Sequence, residues 1–482
     1  MNRRSFLSAS LSAIPAAAVP SLSAEDSNVA LPTGAELPLP ARPPMGWNSF
    51  DAYDSRITED EFLRCAEVIR RELLPHGWDT VVIDYIWFHK SPGIPGDPTK
   101  RHGHPNIRFE DSGEPIDRVE MDAHGRLLPA PERFPSSSNG KGFKPIADKV
   151  HAMGLKFGIH IMRGIHRQAV WDKLPVLNSS AKANDIAEPF DTCQWCNHMF
   201  GVDASKPAAA EYYDSLFRLY AEWDVDFVKV DDVLFHPYHD RELELIDAAR
   251  RKCGRPMILS TSCGEAAVSR AAHIAKHCNM WRISADFWDN WKSLRHNFDL
   301  LAAWSPWISP GHWPDADMIP IGKLSLDNRP HEEERMSRFT APEKRTLMTL
   351  WSIARSPLMW GGDPLSLDDE TKALLTNSEV LAVNQHSNDN RQLYLFNTEH
   401  RGQSACWVAT DPSNGDRFIA LFNLSDSEAP AVFNPEHEHM RGAFRVRDLW
   451  ERKELGVIKG AHRVILPAHG AGLYRFSKDT QS

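Results

Sequence analysis

"DFVKVDDV", residues 226–233, has the make-up of a buried β-strand, yet it carries Lys229, Asp231 and Asp232 where a core would take Val or Ile. Side chains alternate along a strand, so Phe227, Lys229 and Asp231 share one face while Val228 and Val230 point to the other. Such a segment suits the wall of a closed parallel barrel. Its apolar face packs on surrounding helices, and its other face carries polar groups toward the strand's C-terminal end, where barrel enzymes place their chemistry.

Outward from this strand the chain keeps alternating. "GWNSF" (46–50), "DTVVIDYIW" (79–87) and "LKFGIHIM" (155–162) read as strands one to three. "MILSTS" (257–262) and "NMWRIS" (279–284) read as five and six, residues 307–319 hold the end of a seventh, and 350–362 hold the eighth. Thr58 and Glu61 form a capping box before a helix, Ser205 is expected to cap a helix opened by Pro207, and Gly254 closes one over 240–253. Eight strand-then-helix units in series predict an α/β protein with a (β/α)8 TIM barrel over 38–388, since no Gly-x-Gly-x-x-Gly follows strand one to suggest an open doubly wound sheet. A long polar excursion, 88–142, interrupts it and is expected to shape a pocket mouth or a subunit contact. After Asn390 short β runs separated by turns such as "PSNGD" (412–416) predict a C-terminal antiparallel β-sandwich over 389–480.

Net charge is −10 and no Lys/Arg run is long enough to track phosphates, which excludes nucleic acid as the expected partner. Residues 1–24, "MNRRSFLSASLSAIPAAAVPSLSA", join paired arginines to a short apolar stretch and small residues, the pattern of a twin-arginine export signal. That stretch is too short to span a bilayer and no later one reaches eighteen apolar residues, so an exported protein, periplasmic or secreted and not membrane-inserted, is expected. Seven cysteines leave at least one thiol free, and Cys193 with Cys196 is either a disulfide or no bond at all. The chain is rich in Trp and Phe, whose flat faces suit the apolar side of a pyranose as well as a core.

Arg282, Ser284 and Asp286 in the sixth strand region repeat the parity of Lys229 and Asp231. Two strand ends thus each bring one carboxylate, preceded by a cation. Two carboxylates flanking a glycosidic bond suffice to hydrolyse it, one attacking the anomeric carbon or activating water, the other protonating the leaving oxygen. Lys229 would keep Asp231 ionised, whereas the acid, Asp286, is expected to be buried near negative charge. Against this stands the plainer reading of Lys229 and Asp231 as a buried structural ion pair, and of His160 as a core histidine. Asp84 either caps a loop or binds a sugar hydroxyl. A metal-dependent barrel hydrolase needs several converging ligands, but only His160 lies at a strand end, so no metal or other cofactor is expected.

The motifs "RPPMGWNSFDAYD", "VVIDYIW", "GLKFGIHI", "DFVKVDD", "MWRISADFWDNW", "PGHWPDADM", "SPLMWGGD" and "LLTNSEVLAVNQ", in this order from about 42 to 385, resemble those of glycoside hydrolase family 27, the α-galactosidase or melibiase family. "DLW" and "PAHGAGLYRF" resemble its β-sandwich. The resemblance implies a retaining, metal-free exo-glycosidase acting on carbohydrates with a terminal α-galactoside, with Asp231 as nucleophile and Asp286 as acid/base. It also implies a sugar pocket lined by Trp47, Asp84, Lys229 and Arg282. This chain departs from the family at Tyr85, where a second Asp is usual, and at His160, where Tyr is common; both are counted with the substrate-binding set. Asp232 and Val233 replace the usual Asn and Cys, so the disulfide beside the nucleophile cannot form and Cys193 resembles its unpartnered half. β-L-arabinopyranosidase activity is the near alternative, because that sugar is galactose without its C6 group; a non-catalytic sugar-binding protein is the remote one. The sequence leaves a homo-oligomer open.

Overall fold

Eight short parallel strands form a curled, barrel-like sheet: β1 Met45–Asn48, β2 Thr80–Ile83, β3 Lys156–Met162, β4 Phe227–Asp231, β5 Ile258–Thr261, β6 Met280–Arg282, β7 Trp313–Asp315 and β8 Leu358–Trp360. They lie in the order β7-β6-β5-β4-β3-β2-β1-β8, each parallel to its neighbours. The free edges approach each other where Ile319, just past β7, donates to Met359 O (2.8 Å) and accepts from Gly361 N (3.1 Å). The computed structural model describes residues 40–90, 110–234, 237–326, 333–398 and 402–479. The export signal expected over 1–24 lies outside the described residues, as does 91–109 of the polar excursion. Among the described residues no helix is long and apolar enough to cross a membrane.

The strand parity expected for residues 227–231 holds. Phe227 joins Val82, Met280, Trp313, Met318 and Met359 in a cluster filling the barrel, while Val228 and Val230 belong to the larger core between sheet and helices. The next two residues on the Phe227 face are Lys229 and Asp231, stacked toward the C-terminal end. In the ladder Lys229 lies opposite His160 of β3 and Ser260 of β5.

Helix α1 (Glu59–Val68) starts in the expected capping box, Thr58 and Glu61 each bonding the other's backbone N–H. It buries Phe62, Cys65 and Ala66. Helix α2 spans Lys144–Ala152, α3 Pro207–Glu222, α4 Asp240–Lys252, α5 Ala271–His277, α6 Trp291–Trp304 and α7 Ala341–Ile353. Gly254 ends α4 at φ +84°, as expected. Ser205 does not cap α3. Its hydroxyl donates to Asp203 (2.6 Å), and the residue before the helix is Lys206, whose ammonium has no acceptor to offer the first-turn N–H groups, so no side chain caps it.

The C-terminal strands form an antiparallel sandwich: β9 Asn388–Thr398, β10 Gly402–Thr410, β11 Arg417–Asn423, β12 Ala443–Asp448, β13 Lys453–Lys459 and β14 Ala471–Lys478 in the order β9-β10-β11-β14-β12-β13, with a second pair, Ala429–Phe433 and His462–Leu466. Val408, Ile419, Leu421, Phe433, Val446 and Phe476 fill it. Phe422 meets Phe298 of α6 edge-on at 4.9 Å, and His469 stacks on Trp291 at 3.8 Å, so the sandwich packs on the barrel through aromatic rings.

The β1–β2 pair tolerates only glycine at position 46: a Cβ there would stand 2.3 Å from Thr80 O, and backbone cannot yield as a side chain can. Gly46→Ala is expected to lower stability by about 1–3 kcal/mol in urea unfolding; unchanged stability would mean that this part of the barrel wall is looser than it looks.

Candidate active site

A cavity of about 300 Å³ opens where β1, β2, β4 and β6 end. Asp231, the last residue of β4, reaches its wall and is only 9% exposed. Ser262 Oγ donates to its Oδ1, and His160 Nε2 lies 3.0 Å from its Oδ2. Burial alone would raise its pKa; the ammonium of Lys229, then the adjacent His160 ring and the bond from Ser262, reverse this and hold it well below the usual carboxylate range. Lys229 does not bond Asp231 directly. Its Nζ sits 3.0 Å from Asp84 Oδ2, which also accepts from Asn48 Nδ2 (2.6 Å). Burial would favour neutral Lys229, but Asp84 and then Asp231 keep it protonated, and Asp84 in turn stays ionised against burial because of Lys229 and His160.

Across the cavity Arg282, at the end of β6, is a two-way clamp. Its guanidinium reaches Asp286 Oδ1 (3.0 Å) and Asp317 Oδ1 (2.8 Å). Asp286 lines the same cavity as Asp231, but its side chain is 70% exposed, so the burial expected for it is not found. The chain leaves β6 at Arg282, and four residues of loop carry Asp286 to the rim.

Asp84, Tyr85, Lys229 and Arg282 line the cavity as expected. Trp47 does not. It is fully buried, packed against Tyr53 and Phe62 with Nε1 donating to Gly362 O (2.8 Å). β1 ends at Asn48, and the chain turns into a short helix, Phe50–Tyr53, so that Phe50 is the ring of "GWNSF" reaching the cavity, with Lys229 Nζ 5.8 Å from its centroid. His160, 1% exposed, is not in the wall; it touches the carboxylate rather than the space a sugar would occupy, and Tyr85 packs edge-on against its ring. No described residue of the 88–142 excursion lines the cavity. Instead the segment after β3 forms a small sheet, Ile165–His166, Ala187–Glu188 and Met199–Val202, whose connection brings in Trp195.

Asp232 turns away from the cavity at φ +65°. Arg163 holds it through both backbone and carboxylate (2.8 Å each) and also binds Asp191 and Glu242. An ion network thus anchors the loop beside Asp231. All seven cysteines are free, including Cys193 and Cys196.

Sequence reasoning missed Asp51, Asp317, Cys263, Phe287 and Trp288 in the wall. All five fall in or beside quoted motifs but outside any strand, where parity says nothing. Asp51 is the most unusual: its Oδ2 is buried without a hydrogen-bond partner, in a space that exists because residue 361 is glycine, whose Cβ would lie 2.0 Å from it. Burial, then the charge of Asp317, holds its pKa well above the usual range.

Residues 200–386 match the family model described as alpha galactosidase A, and 401–476 match that of the alpha galactosidase C-terminal beta sandwich domain. A β-L-arabinopyranosidase of glycoside hydrolase family 27 from Geobacillus stearothermophilus is 41% identical, with a TM-score of 0.85 over 92% of this chain and 98% of that one. A putative α-N-acetylgalactosaminidase from Bacillus halodurans is 38% identical, with a TM-score of 0.78 over 92% and 100%. The α-galactosidase of Oryza sativa is 25% identical over 414 residues, 85% of this chain and 78% of its own.

The raised pKa of Asp51 fixes the sign of a pH effect. Between the unfolded carboxyl's pKa, about 3.9, and the higher folded value, only the folded state keeps this proton, so stability falls as pH rises at up to about 1.4 kcal/mol per unit. Asp51→Asn removes that contribution. Urea unfolding at a series of pH values above 4 is expected to show wild type losing ground to the variant as pH rises; a constant difference would rule out a protonated Asp51.

Proposed function

Because this chain belongs to glycoside hydrolase family 27, we propose that it releases terminal β-L-arabinopyranosyl residues in preference to α-galactosyl residues, by double displacement through a covalent glycosyl intermediate on Asp231. It is a glycoside hydrolase; the sugar and the stereochemical course are what the proposal adds. Asp231, ionised under the charge of Lys229, attacks the anomeric carbon, while Asp286 protonates the departing oxygen at the rim, where an aglycone has room to leave. The Asp286 carboxylate then takes the proton of the water that cleaves the glycosyl ester. Arg282 orients Asp286 through its 3.0 Å bond.

Tyr85 carries the choice of sugar. The two candidate glycosides share an axial 4-hydroxyl and differ by the C6 hydroxymethyl group. Asp84 keeps one buried carboxylate in the wall for a hydroxyl, but the next residue brings a phenol ring, wedged against His160 and Trp195 at centroid distances of 5.4 and 5.7 Å. A ring there takes up space and offers no second carboxylate. The 41% identical arabinopyranosidase, a variant of which has been seen in complex with arabinose, supports this reading. α-Galactosidase activity is the second reading, favoured by the many α-galactosidases among the relatives, though at 24–26% identity. We also read residues 1–24 as an export signal.

Aryl β-L-arabinopyranoside is expected to be hydrolysed with a kcat/KM about tenfold or more above that of the aryl α-galactoside; the reverse order would overturn the choice of sugar and leave the family assignment intact. Tyr85→Asp should move the ratio toward the galactoside. Asp231→Asn should lower kcat by about four orders of magnitude, and proton NMR of the wild-type reaction should show the first-formed sugar with the anomeric configuration of the substrate. Initial inversion would remove the covalent intermediate.

A further inference from the structure

On the outer face of the barrel, α4 and α5 pack side by side and bring together Glu244, His273 and His277, one ligand atom of each lying within 4.8 Å of the others. His273 and His277 are one helical turn apart on α5, and their rings stand 4.7 Å centroid to centroid. Both are held from behind. His273 Nδ1 lies 2.7 Å from Tyr238 Oη, and His277 Nδ1 lies 3.0 Å from Asp247 Oδ2. The Asp247 carboxylate is itself fixed by Arg250 Nη2 (2.6 Å) and Arg251 Nε (2.9 Å). With Nδ1 engaged on each ring, the ring atom left for a ligand is Nε2. His273 Nε2 sits 3.1 Å from Glu244 Oε1, and His277 Nε2 is buried with no hydrogen-bond partner.

We propose that Glu244, His273 and His277 form a zinc site that clips α4 to α5. Two imidazoles and one carboxylate, with water as a fourth ligand, make a tetrahedral N/O set suited to Zn²⁺. A carboxylate or hydroxyl behind each imidazole is the arrangement that fixes tautomer and ring orientation in such centres. On binding, His277 donates Nδ1–H to Asp247, His273 donates Nδ1–H to Tyr238 Oη, and the Nε2–H···Oε1 contact of His273 with Glu244 gives way to the metal. A second grouping, Asp191, His239 and Glu242, is of similar size, but the Arg163 guanidinium already bonds both of its carboxylates. A fixed cation there excludes another. None of Glu244, His273 and His277 lines the catalytic cavity, so the clip acts on stability and not on hydrolysis.

The test uses the full chain, stripped with EDTA and titrated with zinc sulfate by calorimetry, with bound metal counted by mass spectrometry. One zinc per chain at a Kd of about 10 µM or tighter is expected, with a rise of about 2 °C or more in the unfolding midpoint at saturation. Glu244→Gln should weaken binding about tenfold or more. His273→Ala with His277→Ala should abolish both binding and the thermal shift, while Arg163-cluster variant His239→Ala should leave them unchanged. Arabinoside and galactoside hydrolysis should be the same before and after chelation. Absence of stoichiometric zinc, equal binding by the double His variant, or activity lost on chelation would each overturn the proposal.

Discussion

A lysine ammonium shared between two buried carboxylates sets the character of this molecule. Lys229 stands 3.0 Å from Asp84 and polarises Asp231, all three at the open end of a sheet whose interior below them is Phe227, Met280 and Met359. Charges in such a place are costly to desolvate, and removing one partner of a buried pair typically costs about 3–5 kcal/mol. The barrel can hold them because β2, β3, β4 and β5 end side by side, delivering Asp84, His160, Lys229 with Asp231, and Ser262 from four separate strands or the residues just beyond them. Each supplies a bond or a charge the others lack.

The same end of the barrel sorts its carboxylates into two kinds. Asp231 and Asp84, nearest Lys229, are held in the ionised form. Asp315 and Asp317 are pushed the other way, first by burial and then by the charge of Asp317 on Asp315 and of Asp286 on Asp317, Asp315 to about 7, although Arg282 opposes both shifts. Asp51 is also raised, by burial and then by the charge of Asp317, and its Oδ2 lacks any donor. A site that favours the ionised form of some carboxylates and the protonated form of others can accept and donate hydrogen bonds to a polyhydroxylated ligand without needing all its charge matched by cations. Exposure separates Asp286 from all of these: it stands at the rim with Arg282 as its partner, where a leaving group rather than the bound sugar would meet it.

Strand alternation made the centre of this site legible. The two-residue period alone puts Phe227, Lys229 and Asp231 on one face, and Arg282 with Asp286 repeats the pattern closely enough to mark the second carboxylate. What alternation cannot reach is the loop. Trp47 and Phe50 belong to one five-residue motif, and only the end of β1 at Asn48 decides that the first ring is core and the second is cavity wall. Asp51 depends on a glycine 310 residues later in the chain, a non-local packing fact with no periodic trace. Ser205 looked like a cap because the residue type was right, yet Asp203 competes for its hydroxyl. The small sheet after β3 has strands of two to four residues, too short for any pattern to register, and it brings Trp195 to the wall.

Trapping the enzyme on its own nucleophile tests the central chemistry most directly. An activated fluoroglycoside that reacts in the first displacement and is slowed in the second should leave one glycosyl group per chain, and peptide mass spectrometry should find it on Asp231. A label on Asp286, Asp317 or Asp51, or no covalent adduct with an inhibitor that the enzyme demonstrably binds, would contradict the role given to the carboxylate beside Lys229.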